Sequence, residues 1–200
     1  MGDAPLYLPL AMAVDFYFND PTIELPPLAG LQFVWAEVPD ESLRQMIIAE
    51  HQYLHFHRFM LQRLYCTAPG RLAQKPWEQP LGLSVRAGAI KAMILLTSSI
   101  VEAALMSHAV ERGYDLPKQV HRRTFGKVLE AWRVDDQPRP DVASIWDDLR
   151  TLQSYRNHVH LKRAAEEPEA RWQNLLENEQ SLVRLSQRVL DHVAALKRIP

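Results

Sequence analysis

The residues best suited to chemistry lie close together in the C-terminal third of the chain, at Arg156, Asn157 and His160. On a helix, Arg156 and His160 are one turn apart and project together, and Asn157 flanks the same edge. Arginine offers a planar fork for phosphate oxygens, and histidine can take or give a proton near neutral pH. These residue types predict a minimal site for metal-free phosphodiester cleavage, in which a ribose 2′-hydroxyl attacks the neighbouring phosphate.

The arginine and the histidine also continue the apolar stripe of their helix. At about 100° per residue, the members of this stripe fall within about 60° of one direction; they are Leu149, Leu152, Arg156, Val159 and His160. Desolvating an unpaired guanidinium costs several kcal/mol. Arg156 therefore requires either a structural partner or a ligand.

Glu102 is the best candidate for that partner. It lies inside the apolar run Ser99-Ile-Val-Glu-Ala-Ala-Leu105, where a carboxylate should have a cation beside it. A Glu102–Arg156 pair could fix two helices against each other, or it could support catalysis. As a third possibility, the Glu102 carboxylate could lie at the rim of the helical bundle.

Three histidines, His51, His55 and His57, lie on one predicted helix. The first two have the i, i+4 spacing that lets two imidazoles reach one metal ion. The surrounding sequence lacks the His-Glu-x-x-His order of zinc hydrolases and offers no third ligand. Ordinary polar or interface histidines are therefore expected, with no metal and no cofactor.

Basic residues form two local groups, although the chain as a whole carries a net charge of −1 and gives no global field for nucleic acid. One group accompanies Arg156, and the other lies on a predicted helix at 118–134. His158 points about 200° from the stripe, towards solvent or a secondary RNA contact. The candidate RNA-binding residues are Arg150, Lys162, Arg163, Arg122 and Arg123.

Composition favours one soluble domain. The 200 residues are 47% hydrophobic, and the single cysteine, Cys66, cannot form an intrachain disulfide. The N-terminus is a poor signal peptide, so a reducing cytoplasm is expected. The most hydrophobic run, 87–106, contains Lys91 and Glu102 and is expected to be a core helix rather than a membrane span.

Proline placement and apolar periodicity predict an all-α fold, a bundle of four to five helices. Residues 1–40 are expected to form short extended pieces or a hairpin packed on the bundle, and 41–200 the helical domain. The predicted helices cover about 40–66, 84–111, 118–134 and 141–165, with a last helix from Pro168 to the end.

The Arg-Asn-x-apolar-His stretch at Arg156 to His160, on the penultimate long helix of a small all-α chain, resembles the HEPN superfamily (higher eukaryotes and prokaryotes nucleotide-binding domains). The acidic residue inside the upstream apolar helix, Glu102, is also similar to HEPN proteins. The resemblance implies a homodimeric, metal-independent endoribonuclease, often the toxin of a toxin–antitoxin or antiphage system. It assigns catalysis to Arg156 and His160, with Asn157 in support.

Two positions depart from the family pattern. The family places four to six residues between arginine and histidine, whereas this chain has three, and counting back by the usual interval reaches Tyr155. A variant or noncatalytic member, such as an adaptor, an antitoxin-like partner or a nucleotide sensor, is therefore the alternative. HEPN toxins neutralised by a nucleotidyltransferase partner often carry a tyrosine two residues after the histidine. That position is Lys162 here, which excludes tyrosine adenylylation at this place.

Overall fold

A computed structural model of the chain describes residues 22–63, 83–158 and 174–199. The described part is mostly helical, as the sequence predicts, with one two-stranded hairpin. Its helices are α1 Leu28–Val34, α2 Glu41–Arg63, α3 Leu83–Glu111, α4 Phe125–Ala131, α5 Pro140–Ala143, α6 Trp146–His158 and α7 Glu179–Ala194; its strands are β1 Arg133–Val134 and β2 Gln137–Pro138.

Helix α2 starts where the sequence predicts. The Asp40 carboxylate accepts a hydrogen bond from the backbone N–H of Leu43 at 3.0 Å, so Asp40 caps the first turn. The backbone N–H of Asp40 donates to the Ser107 hydroxyl at 2.9 Å, which fixes this end of α2 against α3. The predicted end of the helix, near Cys66, lies outside the described residues.

Helix α3 is the central element, because α2, α4, α6 and α7 all pack against it. Its predicted bounds are confirmed to within one residue. The helix ends in a Schellman motif: Gly113 has φ 64° and the N–H of Tyr114 donates to the Ala109 carbonyl at 2.9 Å. By length and apolar composition α3 could cross a membrane, but half of its apolar window is buried inside the fold. That burial is typical of a core helix.

The segment after α3 differs from the prediction of one helix over 118–134. It contains a 3-10 turn at Val120–Arg122, then α4, then the β1–β2 hairpin. The hairpin loop is Asp135-Asp136, with φ 47° and 65°. Two positive φ angles are the signature of a type I′ turn, which Asp tolerates better than most residues. The apolar spacing of α4 masked this turn, which the Asp-Asp pair could have revealed.

The expectation of extended structure before residue 40 is wrong for Leu28–Val34, which forms helix α1. Leu31 and Trp35 are i and i+4, and both are buried. The carbonyl of Pro27 accepts from the N–H groups of Gly30 and Leu31 at the first turn. The spacing of Leu31 and Trp35 indicates a helix, but the neighbouring residues favour strands and obscured this pattern. Residues 1–21 lie outside the described part.

The predicted helix over 141–165 is interrupted. Helix α5 ends at Ala143, and the N–H of Ile145 bonds to the Val142 carbonyl, an i to i−3 contact that separates α5 from α6. The last helix, α7, begins at Glu179 and follows one helical turn at 174–177; its predicted start, Pro168, lies outside the described residues. Its predicted apolar positions are confirmed as core, since the following are buried: Leu182, Leu185, Val189, Val193 and Leu196.

Candidate functional site

Glu102 and Arg156 form an ion pair between α3 and α6. The Glu102 Oε2 lies 2.8 Å from the Arg156 Nη2, and the two side chains are 17% and 30% exposed. The partner predicted for Arg156 is therefore confirmed. Both groups are half-buried, so the pair is desolvated enough to hold its geometry and open enough to be reached from solvent.

The surroundings of Glu102 disfavour the ionised form of its carboxyl. Burial raises the pKa of this carboxyl above its usual value, and the Arg156 guanidinium opposes that rise. Arg156 is therefore the group that favours the charged form of this carboxyl. The consequence is reciprocal: Glu102 restrains where the guanidinium can point.

An aromatic ring supports the guanidinium from below. The Arg156 Cζ lies 5.9 Å from the centre of the Phe125 ring, at the outer limit of a cation–π contact. Phe125 is fully buried at the start of α4. A Cβ on Gly126 would lie 2.7 Å from the Gln153 Nε2, so the absence of a side chain lets α4 approach α6 closely. Helix α4 therefore packs beside the Arg156 side chain.

The stripe of α6 is confirmed as far as the arginine. Leu149 and Leu152 are buried and Arg156 follows them one turn later. Tyr155 is half-buried against the core, whereas Asn157 is exposed. The Asn157 side chain is therefore open to solvent and can be reached by a ligand.

His160 lies outside the described residues, as do Lys162 and Arg163, and nothing is described of the His158 side chain. The convergence of Arg156 with His160 therefore stays a prediction of helical spacing.

The remaining predicted RNA contacts do not share one surface helix. Arg150 is exposed on α6. Arg122 is exposed in the 3-10 turn, and the Nε of Arg123 donates to the Pro117 carbonyl at 2.8 Å. Arg123 therefore holds the loop after α3 in place, and its role as a free RNA contact is weakened.

The histidines of α2 take part in packing and hydrogen bonding in the described structure. The Trp35 Nε1 donates to the His51 Nδ1 at 2.9 Å, and the ring of His51 stacks on that of His55 at 4.8 Å. The Nε2 of His57 lies 2.7 Å from the Ala89 carbonyl. Burial lowers the pKa of His51 to about 4, so this ring is neutral. Among the described residues no group of three His, Cys, Asp or Glu could hold a metal ion.

One buried titratable group was not predicted. His108, on α3, is fully buried and burial lowers its pKa to about 4. Its Nδ1 lies 3.9 Å from the Glu111 Oε2, and neither ring nitrogen has a hydrogen-bond partner among the described residues. A histidine on the same predicted helix as the apolar run 87–106 was the available signal.

One face of α3 remains largely exposed. At about 100° per residue its members fall within roughly 100° of one another. Val85, Leu95 and Val110 on this face are 45%, 39% and 53% exposed. Between them lie small or flexible residues: Gly88, Ala92, Ser99, Ala103 and Met106. Glu102 belongs to the same face, so the ion pair lies at the edge of an apolar surface.

Comparison with known proteins adds no assignment, since no family model, curated protein or solved structure matches the chain. The described geometry supplies a positioned guanidinium, a carboxylate that restrains it and an adjoining apolar face. Chemically, the guanidinium can bind a phosphate and stabilise negative charge.

Proposed function

We propose that this chain is a HEPN-like, metal-independent endoribonuclease that acts as a homodimer, in the manner of a toxin of a toxin–antitoxin or antiphage system. The observation that carries the proposal is the partly exposed Glu102–Arg156 pair at the edge of the exposed apolar face of α3. An arginine that is both restrained and reachable suits phosphate recognition.

In the proposed reaction a ribose 2′-hydroxyl attacks the adjacent phosphorus atom, and the bond from phosphorus to the 5′-oxygen breaks. The products are a 2′,3′-cyclic phosphate and a free 5′-hydroxyl. His160 takes the proton from the 2′-hydroxyl or gives one to the leaving oxygen, and the two copies in a dimer divide these roles. Arg156 stabilises the charge that grows on the phosphate oxygens, and Asn157 orients the same group.

Glu102 acts as a positioning residue in this scheme. Arginine offers several N–H donors, so one edge of the guanidinium can remain on Glu102 while another binds phosphate. Preorganisation of this kind matters because a group already held in place need not be reordered in the transition state. The Phe125 ring, whose centre lies 5.9 Å from the Arg156 Cζ, is a second contact of the same side chain.

The apolar face of α3 suits a second copy of the chain. Small residues between the exposed valines and leucine allow two helices to approach closely, and burying the exposed apolar side chains would stabilise the dimer. Since Glu102 lies on this face, a twofold axis through it would bring both Arg156 side chains towards one cleft. Two copies would then supply acid, base and charge stabilisation.

The decisive experiment is RNA cleavage in EDTA by the purified protein and by the Arg156→Ala and His160→Ala variants. Each substitution is expected to lower the cleavage rate by about 10²- to 10⁴-fold, the usual contribution of a positioned acid, base or charge. Arg184→Ala, which removes an exposed arginine of α7, serves as the matched control. Cleavage that survives both active-site substitutions would sink the nuclease assignment.

The dimer is tested by light scattering on Leu95→Glu. A charge at the centre of the α3 face should yield a monomer and abolish cleavage, because the two-copy site cannot form. Val120→Glu is the control, since Val120 is 70% exposed outside α3. A wild-type protein that is monomeric at the concentrations at which it cleaves RNA would contradict the two-copy site.

A second candidate function is a noncatalytic helical interaction module, such as an adaptor or an antitoxin-like partner. The direct Glu102–Arg156 pair favours it, because the pair already satisfies both charges without a ligand. Under this hypothesis Arg156→Ala weakens the dimer or a complex and there is no cleavage to lose. Metal-free cleavage by the wild-type protein excludes it.

A further inference from the structure

A second candidate site is a polar cleft on the other side of α4. It has a volume of about 550 Å³ and lies between the loop after α3, helix α4 and the β1–β2 hairpin. Its size falls within the range of small-ligand sites in proteins. The charged residues that line it are Asp115, Lys118, Lys127, Glu130, Arg133 and Arg139.

Cations outnumber carboxylates in this cleft, four to two. Two of the cations have carboxylate partners: the Lys127 Nζ lies 2.6 Å from Glu130, and an Arg133 Nη lies 3.1 Å from Asp136 outside the lining. Lys118 is exposed and has no hydrogen-bond or ion-pair partner in the described part of the chain. The Nε of Arg133 is buried without an acceptor among the described residues. The cleft therefore has unused donors and an excess of positive charge.

Arg139 is held in place by stacking rather than by a carboxylate. Its Cζ lies 3.7 Å from the centre of the Tyr114 ring, and its Nε makes only a long contact of 3.4 Å with the Ala131 carbonyl. Stacking fixes the plane of a guanidinium and leaves its terminal N–H groups free. A rigid, planar fork beside a flexible lysine is the arrangement that recognises phosphate oxygens.

Helix α4 connects this cleft to the ion pair. Phe125, at its first residue, lies under Arg156, and Ala131, at its last, lines the cleft. Six residues of helix span about 9 Å, at 1.5 Å per residue. The cleft and the Phe125 ring near Arg156 therefore lie at opposite ends of α4.

We propose that the cleft binds phosphate groups of a single RNA strand whose scissile phosphate lies at Arg156. Lys118 and Arg139 are the residues that bind these phosphates. The proposal rests on the proposed nuclease function for the identity of the strand. The phosphate-binding chemistry itself rests on the cleft alone.

The test is binding of a fluorescein-labelled, single-stranded RNA dodecamer in EDTA, measured by anisotropy over a range of salt concentrations on the full chain. The His160→Ala background prevents cleavage during the measurement. Lys118→Gln, Arg139→Gln and the double variant are compared with Arg184→Gln, which removes an exposed arginine of α7 outside the cleft. Lys118→Gln changes a side chain without described partners, so it keeps the test valid if Arg139→Gln fails to fold.

The double variant is expected to bind RNA roughly tenfold or more weakly. The slope of log affinity against log salt should fall by about 0.7 for each cation removed, the value for one phosphate contact on a single strand. Affinities and slopes equal to those of Arg184→Gln would overturn the inference. So would AMP that binds the cleft as tightly as the dodecamer, because the ligand would then be a mononucleotide and not a strand.

The two proposals fail separately. If the wild-type protein binds RNA through Lys118 and Arg139 but never cleaves it, the cleft stands and the nuclease assignment falls. If the protein cleaves RNA in EDTA while Lys118→Gln and the double variant bind RNA as the control does, the nuclease assignment stands and the cleft falls.

Discussion

The buried histidines and the Glu102–Arg156 pair are two titratable regions of the same bundle with opposite characters. His51 is 7% exposed and His108 is fully buried, and both rings are held neutral by their surroundings. Arg156 is 30% exposed and its ion pair with Glu102 opens on the surface. A neutral group packed into the core contributes to stability, whereas a charged group held at the surface is available to a ligand.

This difference explains why residue type alone misleads. Helix α2 offers a metal-like histidine spacing, yet the Nδ1 of His51 is already used by the Trp35 indole. On helix α6, Glu102 pairs with the Nη2 of Arg156, and a guanidinium carries further N–H donors. The capacity to bind a ligand depends on the hydrogen-bonding groups that remain after the fold has used its share.

The largest expected effect comes from breaking the histidine region. Trp35→Ala removes a fully buried indole and should lower the free energy of unfolding by about 3–5 kcal/mol, because the cavity is added to the lost burial. Trp35→Phe should cost less, about 1–3 kcal/mol, mainly by leaving the His51 Nδ1 without its donor. Urea unfolding followed by circular dichroism measures both. A loss below about 1 kcal/mol for Trp35→Ala would show that the pair does not anchor α1.

The next effect is a loss of stability in acid. The pKa of His51 and that of His108 are lowered from 6.5 to about 4 in the folded chain, so the unfolded chain binds more protons between these values. The stabilisation is complete above about pH 6.5 and falls as the pH drops towards 4, on the order of 3 kcal/mol for each ring.

Unfolding free energies of the wild type and of His108→Gln from pH 7 to pH 4 check this expectation. The variant should lose the share of the pH dependence that belongs to one ring. The groups around His108 include Arg112 and Arg198, which lower its pKa, and Glu37 and Asp141, which raise it. An identical pH dependence in the two proteins would show that His108 does not contribute to the loss of stability in acid.

The smallest effect is expected at the ion pair. The pKa of Glu102 is raised in the folded chain, so its contribution has the opposite sign: it is present below the usual value of 4.5 and is lost as the pH rises through the raised pKa. Glu102→Gln mimics the protonated form and should change the free energy of unfolding at pH 7 by under about 1 kcal/mol. A cleavage rate that falls while stability holds would mark Glu102 as a positioning residue. A decrease of several kcal/mol in the free energy of unfolding would show that the pair, like the buried histidines, has a structural role.

Much of the helical framework was predictable because it depends on local patterns. Asp40 as a cap, Gly113 as a stop and the apolar spacing of α7 are each decided within a few residues. The pairing of Glu102 with Arg156 was also predictable, because a carboxylate in an apolar helix and an arginine on an apolar stripe each require a partner. Charge satisfaction links distant residues even when the path of the chain between them is not known.

The failures came where tertiary contacts outweigh local pattern. The segment at 28–34 is helical because Leu31 and Trp35 are buried on one face, although its neighbouring residues favour strands. The segment at 118–134 is divided into a 3-10 turn, helix α4 and the first strand of a hairpin, whose loop is Asp135-Asp136. The cleft beside α4 arises from that break, since one continuous helix would have separated Lys118 from Arg139.

The sequence by itself determined the helical class, the apolar faces and the need for a carboxylate beside Arg156, because periodicity and the cost of burying charge act on residues one at a time. Only the tertiary structure decided which polar groups remain unused. That depends on how closely α4 approaches α6, which face of α3 is left exposed and which nitrogen of His51 meets Trp35. These are properties of packing between helices, where hydrogen-bonding capacity is shared among residues far apart in the chain.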